Sequence, residues 1–517
     1  MKTVTSAEMR AIEYDAIMTL GIPEIVLMEN AAYKTSLHCL GRLKATGGKK
    51  AAVVAGPGSN GGDGLAAARY LYMGGVEVRV FFFGDESADP GTSAAANLRV
   101  IKNLKIPVYV YTEPDFWRAA EQTLYSADLI LDALFGIGAS REVGGAYKKI
   151  IEMMDASDSY VVSADVPSGL DADTGRVLGC AVRADMTVTF TYPKTGLLVY
   201  PGAGHAGQLI VEDIGITRLG ERYKTSCETL GRGEIKKLLP VRRKDSNKGS
   251  HGKVVVLAGS GEMSGAAYLT CGAAYAAGAG LVRACATFDV ASALHIGLPE
   301  ALTVILPDSD GFIRREGFER VKKYLNGADA VVMGPGLGDA ECVAEFAYSV
   351  IEYTDAPVVL DADGLNAVAR DPDILLKLKK LSVVTPHPGE MSRLTGRTIK
   401  EITGDPLGAA RSFAEKYGVV TLLKGARTVI ALPDGTARIN TTGNPALAKA
   451  GTGDVLAGVI GAFIAQGAGA FDAATLGAYI HGAAGDAAAD EIGEYGVLAG
   501  DLFKYIPRVI KKIGERP

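Results

Sequence analysis

Short apolar runs recur along the chain in two blocks, with helical or polar stretches between them. In the first block they fall at Ala51–Ala55, Val76–Phe83, Pro107–Tyr111, Asp128–Asp132, Tyr160–Asp165 and Met186–Thr191. The pattern loosens after Ile216 and restarts with Lys253–Ala258, Leu281–Thr287, Ala301–Leu306, Ala330–Met333, Pro357–Leu360, Ser382–Thr385 and Val419–Leu423. Brief apolar runs bounded by turn residues and separated by helices read as buried strands of a largely parallel sheet. Ahead of the first block, Thr5 and Glu8 have the spacing of a capping box. That spacing predicts a helix to about Leu20, stopped by Gly21 and Pro23. Ile25 to Lys44 reads as a second helix. The expected fold class is α/β, in two domains covering residues 1–217 and 225–517. Basic residues gather between Ile216 and Lys248. They form either a solvated face or a phosphate-binding patch, on a linker that partly folds onto the second half.

Composition narrows the class. The chain has 517 residues, a formal charge of −5, 48% hydrophobic residues and 65 Gly. Such a balance suits tightly wound α/β domains and gives no electrostatic case for nucleic-acid binding. The six Cys are scattered with no C-x-x-C pair, as expected of free thiols in a reducing compartment. The first residues lack the apolar core of a signal peptide, and no run approaches the roughly 20 apolar residues of a membrane span. A soluble, cytoplasmic protein with no membrane partner is expected.

In the first half, the Ala51–Ala55 strand runs into Gly56-Pro57-Gly58-Ser59-Asn60-Gly61-Gly62-Asp63-Gly64, and a helix is expected to continue from Leu65 to Met73. Strand, glycine loop and helix make the first unit of a Rossmann-like sheet. Loop glycines alone are a weak sign of a ligand, because tight turns use them for positive φ. The acids add to it. Asp132 and Asp165 each end a predicted strand, and Ser168 follows Asp165 closely. Strand ends in an open parallel sheet form the ligand crevice, so Asn60, Asp132, Asp165 and Ser168 should converge there. Their oxygens suit a hard cation rather than zinc. The alternative is that these residues cap turns, which needs three polar strand ends by coincidence.

The glycine loop, Asp132-Ala133-Leu134-Phe135-Gly136, Asp165-Val166-Pro167-Ser168-Gly169-Leu170-Asp171 and Pro193-Lys194 together resemble the YjeF N-terminal domain, the NAD(P)H-hydrate epimerase. The resemblance implies that Asn60, Asp132 and Ser168 bind potassium. It implies that Ser59, Asn60, Gly61, Gly62, Asp63, Gly136, Ile137, Gly138, Ala139, Ser140, Arg141, Glu142 and Asp165 bind the hydrated nicotinamide nucleotide, with Asp165 catalytic. The family usually has two Asn before Gly-Gly-Asp, where this chain has Ser59 and Asn60.

Strand ends in the second half are again polar or glycine-rich: Gly259-Ser260-Gly261, Gly334-Pro335-Gly336-Leu337-Gly338, Asp361-Ala362-Asp363, Pro386-His387-Pro388-Gly389-Glu390 and Lys424-Gly425-Ala426-Arg427-Thr428. They outline a second crevice. His387, stiffened by two prolines, is expected to contact substrate. Lys424 to Thr428 form either a solvated turn or a set of donors for a nucleotide phosphate. Near the C-terminus, Gly451-Thr452-Gly453-Asp454 reads as a glycine turn opening a helix, whose unpaired N–H groups and dipole favour a phosphate-like anion. Asp454 is then either a helix cap or a base that activates a hydroxyl.

From about Leu230 to Arg508 the chain resembles the YjeF C-terminal domain, the ADP- or ATP-dependent NAD(P)H-hydrate dehydratase, which is ribokinase-like. Thr385-Pro386-His387-Pro388-Gly389-Glu390 and Gly451-Thr452-Gly453-Asp454 carry that resemblance. It implies that Ala266, Gly338, His387 and Asp454 contact the hydrate, with Asp454 catalytic. Lys424, Gly425, Ala426, Arg427, Thr428 and Gly453 would contact the adenine nucleotide. The family more often reads Gly-Gly-Ser-Gly-Asp at Ala450-Gly451-Thr452-Gly453-Asp454. Together the halves imply epimerisation of R- and S-hydrates of NADH and NADPH and dehydration of the S form, with Mg²⁺ carried by the nucleotide. A homo-oligomer is the expected assembly. Two competing readings are a small-alcohol kinase with an accessory first half, and a nucleotide sensor without turnover.

Overall fold

The computed structural model describes residues 1–84 and 91–515. The chain divides into two compact units, Lys2–Cys227 and Glu228–Pro517. Positions 516 and 517 of the expected second domain lie outside the described residues.

In the first unit the strands are β1 (Lys50–Ala55), β2 (Glu77–Phe82), β3 (Val108–Val110), β4 (Leu129–Ala133), β5 (Tyr160–Ala164), β6 (Met186–Phe190) and β7 (Gln208–Glu212). They form one sheet in the order β3-β2-β1-β4-β5-β6-β7, with every neighbouring pair parallel. The expected strands are all present. β7 was not foreseen, because its five residues are half-buried or exposed and lack a clean apolar run. The order reverses between β1 and β4, which opens the crevice beyond their carboxyl ends.

Helices α1 (Ser6–Met18), α2 (Glu24–Thr46) and α3 (Ser59–Met73) belong to this unit. α1 starts at the expected capping box, with Thr5 N donating to Glu8 Oε2 at 2.7 Å and Glu8 N to Thr5 Oγ1 at 3.2 Å. α3 begins six residues earlier than the expected Leu65, so the second part of the glycine loop is helix. None of Gly56, Gly58, Gly61, Gly62 and Gly64 has positive φ. Close approach explains several of them instead. A Cβ on Gly61 would lie 1.8 Å from Gly56 O, and one on Gly64 2.4 Å from Ala133 Cβ. Their absence lets the start of α3 sit directly on the ends of β1 and β4.

In the second unit the strands are β8 (Lys253–Leu257), β9 (Leu281–Ala286), β10 (Leu302–Ile305), β11 (Ala330–Met333), β12 (Val358–Leu360), β13 (Val383–Val384), β14 (Val420–Leu423), β15 (Val429–Ala431) and β16 (Ala437–Ile439). They run in the order β16-β15-β14-β13-β12-β11-β8-β9-β10. The pairs from β14 to β10 are parallel, while β14, β15 and β16 form an antiparallel meander. The reversal lies between β8 and β11. Helices α4 (Ser264–Ala276), α5 (Asp363–Ala369), α6 (Pro388–Thr395), α7 (Thr452–Ala465) and α8 (Ala470–Ile492) carry or support the strand-end loops. α7 is buried along nearly its whole length. Gly458 and Gly461 allow this, since a Cβ would meet Thr270 O at 2.2 Å and Val332 Cγ2 at 2.3 Å.

Several basic residues of the expected linker are fastened to the second unit. Arg232 donates to Lys512 O, Lys236 Nζ to Glu515 O at 2.8 Å, and Arg242 Nη2 to Gly278 O at 2.7 Å. For these three the phosphate-patch alternative gives way to carbonyl contacts. Among the described residues no helix is long and apolar enough to cross a membrane.

Two candidate active sites

The crevice of the first unit is built around Asp132, which has no exposed surface. Four donors reach its carboxylate: Ser168 Oγ at 2.5 Å, Ser163 Oγ at 2.7 Å, Ser168 N at 2.9 Å and Leu134 N at 3.3 Å. Burial pushes its pKa up, and the hydrogen bonds from Ser168, Ser163 and Leu134 pull against that shift. Asn60, in the first turn of α3, donates through Nδ2 to Phe135 O at 2.8 Å. Its Oδ1 is buried without a partner. Ser168 Oγ also lies 3.4 Å from Phe135 O. Asn60, Asp132, Ser168 and the Phe135 carbonyl therefore form one cluster of oxygens, with an acceptor left over.

Asp165 follows β5 with φ +64°, a left-handed conformation that costs a non-glycine residue about 1–3 kcal/mol. Its Oδ1 accepts from Lys194 Nζ, from Thr189 Oγ1 at 3.2 Å and from Phe190 N at 3.4 Å. Lys194 is buried and completes its three bonds on Thr189 Oγ1 at 3.1 Å and Phe190 O at 3.2 Å. Lys194 was visible only as part of a motif; its pairing spans 29 positions and has no local signature. Asp63, on α3, has its pKa pushed well up by burial, then by Asp165, Glu13 and Glu24. Ser59 is exposed and reaches Glu24 Oε1 at 3.4 Å. Gly61 and Gly62 are buried in α3. Of the loop after β4, Gly136 packs against Asn60, Ile137 O accepts from Arg10 Nη2 at 3.2 Å, and Gly138, Ser140, Arg141 and Glu142 are exposed. Ala139 N donates back to Gly136 O at 3.2 Å, which folds the loop on itself.

In the second unit the strand ends deliver a tighter constellation. Asp361 follows β12, is 1% exposed, and accepts from Lys424 Nζ at 2.5 Å. Lys424 follows β14, and its ammonium also lies 3.7 Å from Glu390 Oε2. Burial works to strip the Lys424 charge, but Asp361 and Glu390 outweigh it and its pKa is raised. Gly453 faces this pair: a Cβ there would lie 3.5 Å from both Asp361 Oδ2 and Lys424 Nζ. Gly451 is the cap of α7 at φ +89°, a conformation suited to glycine. Thr452 N donates to Lys449 O at 3.4 Å and Val455 N to Gly451 O at 3.2 Å. The N–H groups of Gly453 and Asp454 are left with no protein acceptor among the described residues.

Asp454 stands in the first turn of α7, and among the described residues its carboxylate accepts no hydrogen bond from that helix. Burial pushes its carboxyl up to about 7, with Asp361, Asp363 and Glu390 adding to the shift and Lys424 opposing it. His387 caps α6: its Nδ1 accepts from Gly389 N at 3.0 Å and Glu390 N at 3.3 Å. An imidazole accepting at Nδ1 carries its proton on Nε2, which lies 3.4 Å from Glu390 Oε1. Between the acids, Ala362 holds φ +47°, and Asp363 Oδ2 accepts from Gly338 N at 2.8 Å. Ala266 packs against Gly336, where a Cβ would come within 2.6 Å. Lys424 to Thr428 span the β14–β15 turn. Lys424 N is taken by Pro386 O at 2.8 Å, while Gly425 and Ala426 N have no protein acceptor among the described residues. Arg427 Nη1 holds Thr441 O at 2.5 Å and Thr428 Oγ1 holds Gly425 O at 3.2 Å. Sequence reasoning gave Asp361, Glu390 and the buried, unpartnered Ser260 Oγ no role, although each stood in a strand-end segment.

Known proteins match this chain along its length. The family model described as YjeF-related protein N-terminus matches residues 24–196, and that described as NAD(P)H-hydrate dehydratase matches residues 254–508. A bifunctional NAD(P)H-hydrate repair enzyme from Thermofilum pendens is 39% identical over 100% of this chain and 97% of its own length. The protein of the same name from Escherichia coli is 34% identical over 89% of this chain and 84% of its own. The solved ADP/ATP-dependent NAD(P)H-hydrate dehydratase from Bacillus subtilis, co-crystallised with ATP/Mg²⁺, is 34% identical, with TM-score 0.49, covering 55% of this chain and 98% of that one. The chain belongs to the family of bifunctional NAD(P)H-hydrate repair enzymes.

Proposed function

We propose that the second unit dehydrates the S-hydrates of NADH and NADPH, using ADP or ATP, and that the first unit interconverts the R and S forms. The observation that carries the first statement is Asp454. It stands at a helix start beside unpaired Gly453 and Asp454 N–H groups and next to the Asp361–Lys424 pair. The N–H groups and the nearby ammonium favour the terminal phosphate, with Gly425, Ala426, Arg427 and Thr428 as further nucleotide contacts. Ala266, Gly338 and His387 hold the hydrate. Asp454 takes the proton of the C6 hydroxyl, whose oxygen attacks the terminal phosphorus while the nucleotide's P–O bond breaks. AMP leaves from ADP, or ADP from ATP. The C6–O bond then breaks with phosphate departing and the ring-nitrogen lone pair assisting. Loss of a C5 proton restores the dihydronicotinamide. Mg²⁺ enters with the nucleotide and neutralises phosphate charge.

In the first unit, the buried orphan Asn60 Oδ1 beside Asp132 and Ser168 fits a weakly hydrated monovalent cation, and we assign potassium there. When bound, the ion supplies positive charge to the Asp132 cluster and fixes that end of the crevice. Ser59 to Asp63 and Gly136 to Glu142 line the hydrate's path to Asp165. A homo-oligomer in the cytoplasm completes the proposal. The test is a mixture of S-hydrate and ADP or ATP: dihydronicotinamide absorbance should return with one inorganic phosphate per turnover. A stable phosphorylated product would instead identify a kinase, and binding without turnover a sensor.

A further inference from the structure

A carboxylate beside the first crevice, Glu13, has no hydrogen-bond or ion-pair partner among the described residues. Glu13 lies on α1, one turn beyond Arg10 and on the same face. Three sets of bonds fix α1 against the crevice. Val4 N donates to Pro193 O at 3.0 Å and Thr195 N to Val4 O at 3.1 Å, bracketing Lys194. Ser6 N donates to Asp173 Oδ1 at 2.5 Å, and Arg10 holds the Ile137 carbonyl in the loop after β4. Glu13 is half-buried in this setting, and among the described residues no hydrogen bond or ion pair engages it. Of the two nearby cations, Lys194 has all three protons used on Asp165, Thr189 and Phe190, and Arg10 reaches the Ile137 carbonyl. A partly buried carboxyl that lacks a protein donor, on a helix bonded to the crevice loops, is free to take a proton or a ligand.

We propose that Glu13 is the second acid–base residue of the epimerase site, working with Asp165 at C6 of the hydrate. The inference rests on the proposed epimerase role of the first unit. The pair works with one shared proton. The C6–O bond breaks, the ring-nitrogen lone pair forms a C=N bond, and the departing oxygen takes a proton from Glu13 to leave as water. A water molecule adds to the other face of C6, its proton passes to Asp165, and the electron pair returns to nitrogen. Solvent then takes the proton from Asp165 and returns one to Glu13, so the pair again holds a single proton. The reverse direction uses the same two residues with their roles exchanged, so one proton on the pair serves both. The surroundings support this role. Burial first and Asp165 second push the Glu13 carboxyl up to about 7, Glu24 adds to the shift, and Lys194 and Arg10 oppose it. Asp63, on α3, also feels the Glu13 charge.

The test uses the full chain with Glu13→Gln and Glu13→Asp. In the wild type, kcat/KM for epimerisation should fall as pH rises through about 7, as the shared proton is lost. Glu13→Gln should lose about 10²–10⁴-fold in epimerisation. It should keep its affinity for the R-hydrate within about threefold and its S-hydrate dehydration. Its residual rate should lack the limb near pH 7. Glu13→Asp keeps a carboxyl, should lose less, and should retain the limb at a shifted pH; it also covers any folding defect of the Gln variant. Epimerisation by Glu13→Gln within about threefold of wild type, a loss matched by lost hydrate binding, or a Glu13→Asp profile without the limb would overturn the proposal. A wild type that dehydrates but does not epimerise would overturn the reading beneath it.

Discussion

Asp132 and Asn60 present opposite forms of one imbalance: four donors converge on the first, and none reaches Oδ1 of the second. A monovalent cation between them would satisfy the acceptor and balance the acid. Asp132→Ala should abolish epimerisation and its dependence on potassium while leaving dehydration intact, measured with R- and S-hydrates separately. Unchanged epimerisation would remove the cation site from the account. Asp454 makes a pH prediction. Its carboxyl, raised to about 7, must be ionised to accept a proton. The dehydration rate should therefore climb through about pH 7 and level off above it, opposite in sign to the epimerase limb. Asp132 was legible because a polar side chain at the end of an apolar strand is conspicuous, and Asn60 and Asp454 because each stands in a glycine-rich segment that opens a helix. Glu13 was not: one acid on an amphipathic helix has the pattern of a surface residue. The Asp361–Lys424 pair spans 63 positions, so its members could be seen but not joined.

At the scale of elements, the parallel strands were legible because buried strands are continuous apolar runs. The β14–β16 meander was not read, although Asp434-Gly435 between β15 and β16 is a hairpin signal. β15 and β16 are three residues long, too short to show a period. The start of α3 is not legible in the sequence, because glycine commonly forms turns whereas here it permits close contact. That difference can be measured. Gly61→Ala drives a Cβ to 1.8 Å from the Gly56 carbonyl, a rigid backbone atom, while Gly58→Ala meets nothing within 4 Å and has φ −90°. The first should destabilise the first unit by about 1–3 kcal/mol or more and impair epimerisation. The second should stay within about 0.5 kcal/mol of wild type by thermal or urea unfolding. Equal tolerance at both positions would contradict the packing reading of the loop.

At the scale of the molecule, each unit has its own largely parallel run of strands, reversal point and core. A fragment beginning near Thr225 should fold, dehydrate the S-hydrate and leave the R form behind, followed by resolving the two isomers during the reaction. Consumption of both at equal rates would contradict the division of labour. The division into two halves was legible because the strand pattern visibly stops and restarts, and the resemblance of their motifs joined them in one repair sequence. The closing of each site was not, because it depends on bonds between distant strand ends. The account turns on Asp454. Substituting it by Asn keeps the shape of the helix start and removes the ability to accept a proton. The decisive measurement gives full-length Asp454→Asn pure R-hydrate, potassium and ADP or ATP, and follows isomer ratio, phosphate and dihydronicotinamide together. The account predicts a normal approach to the R/S mixture, retained binding of hydrate and nucleotide, and dehydration lowered about 10²–10⁴-fold. Phosphate release and cofactor recovery within a few-fold of wild type would show that Asp454 is not the base.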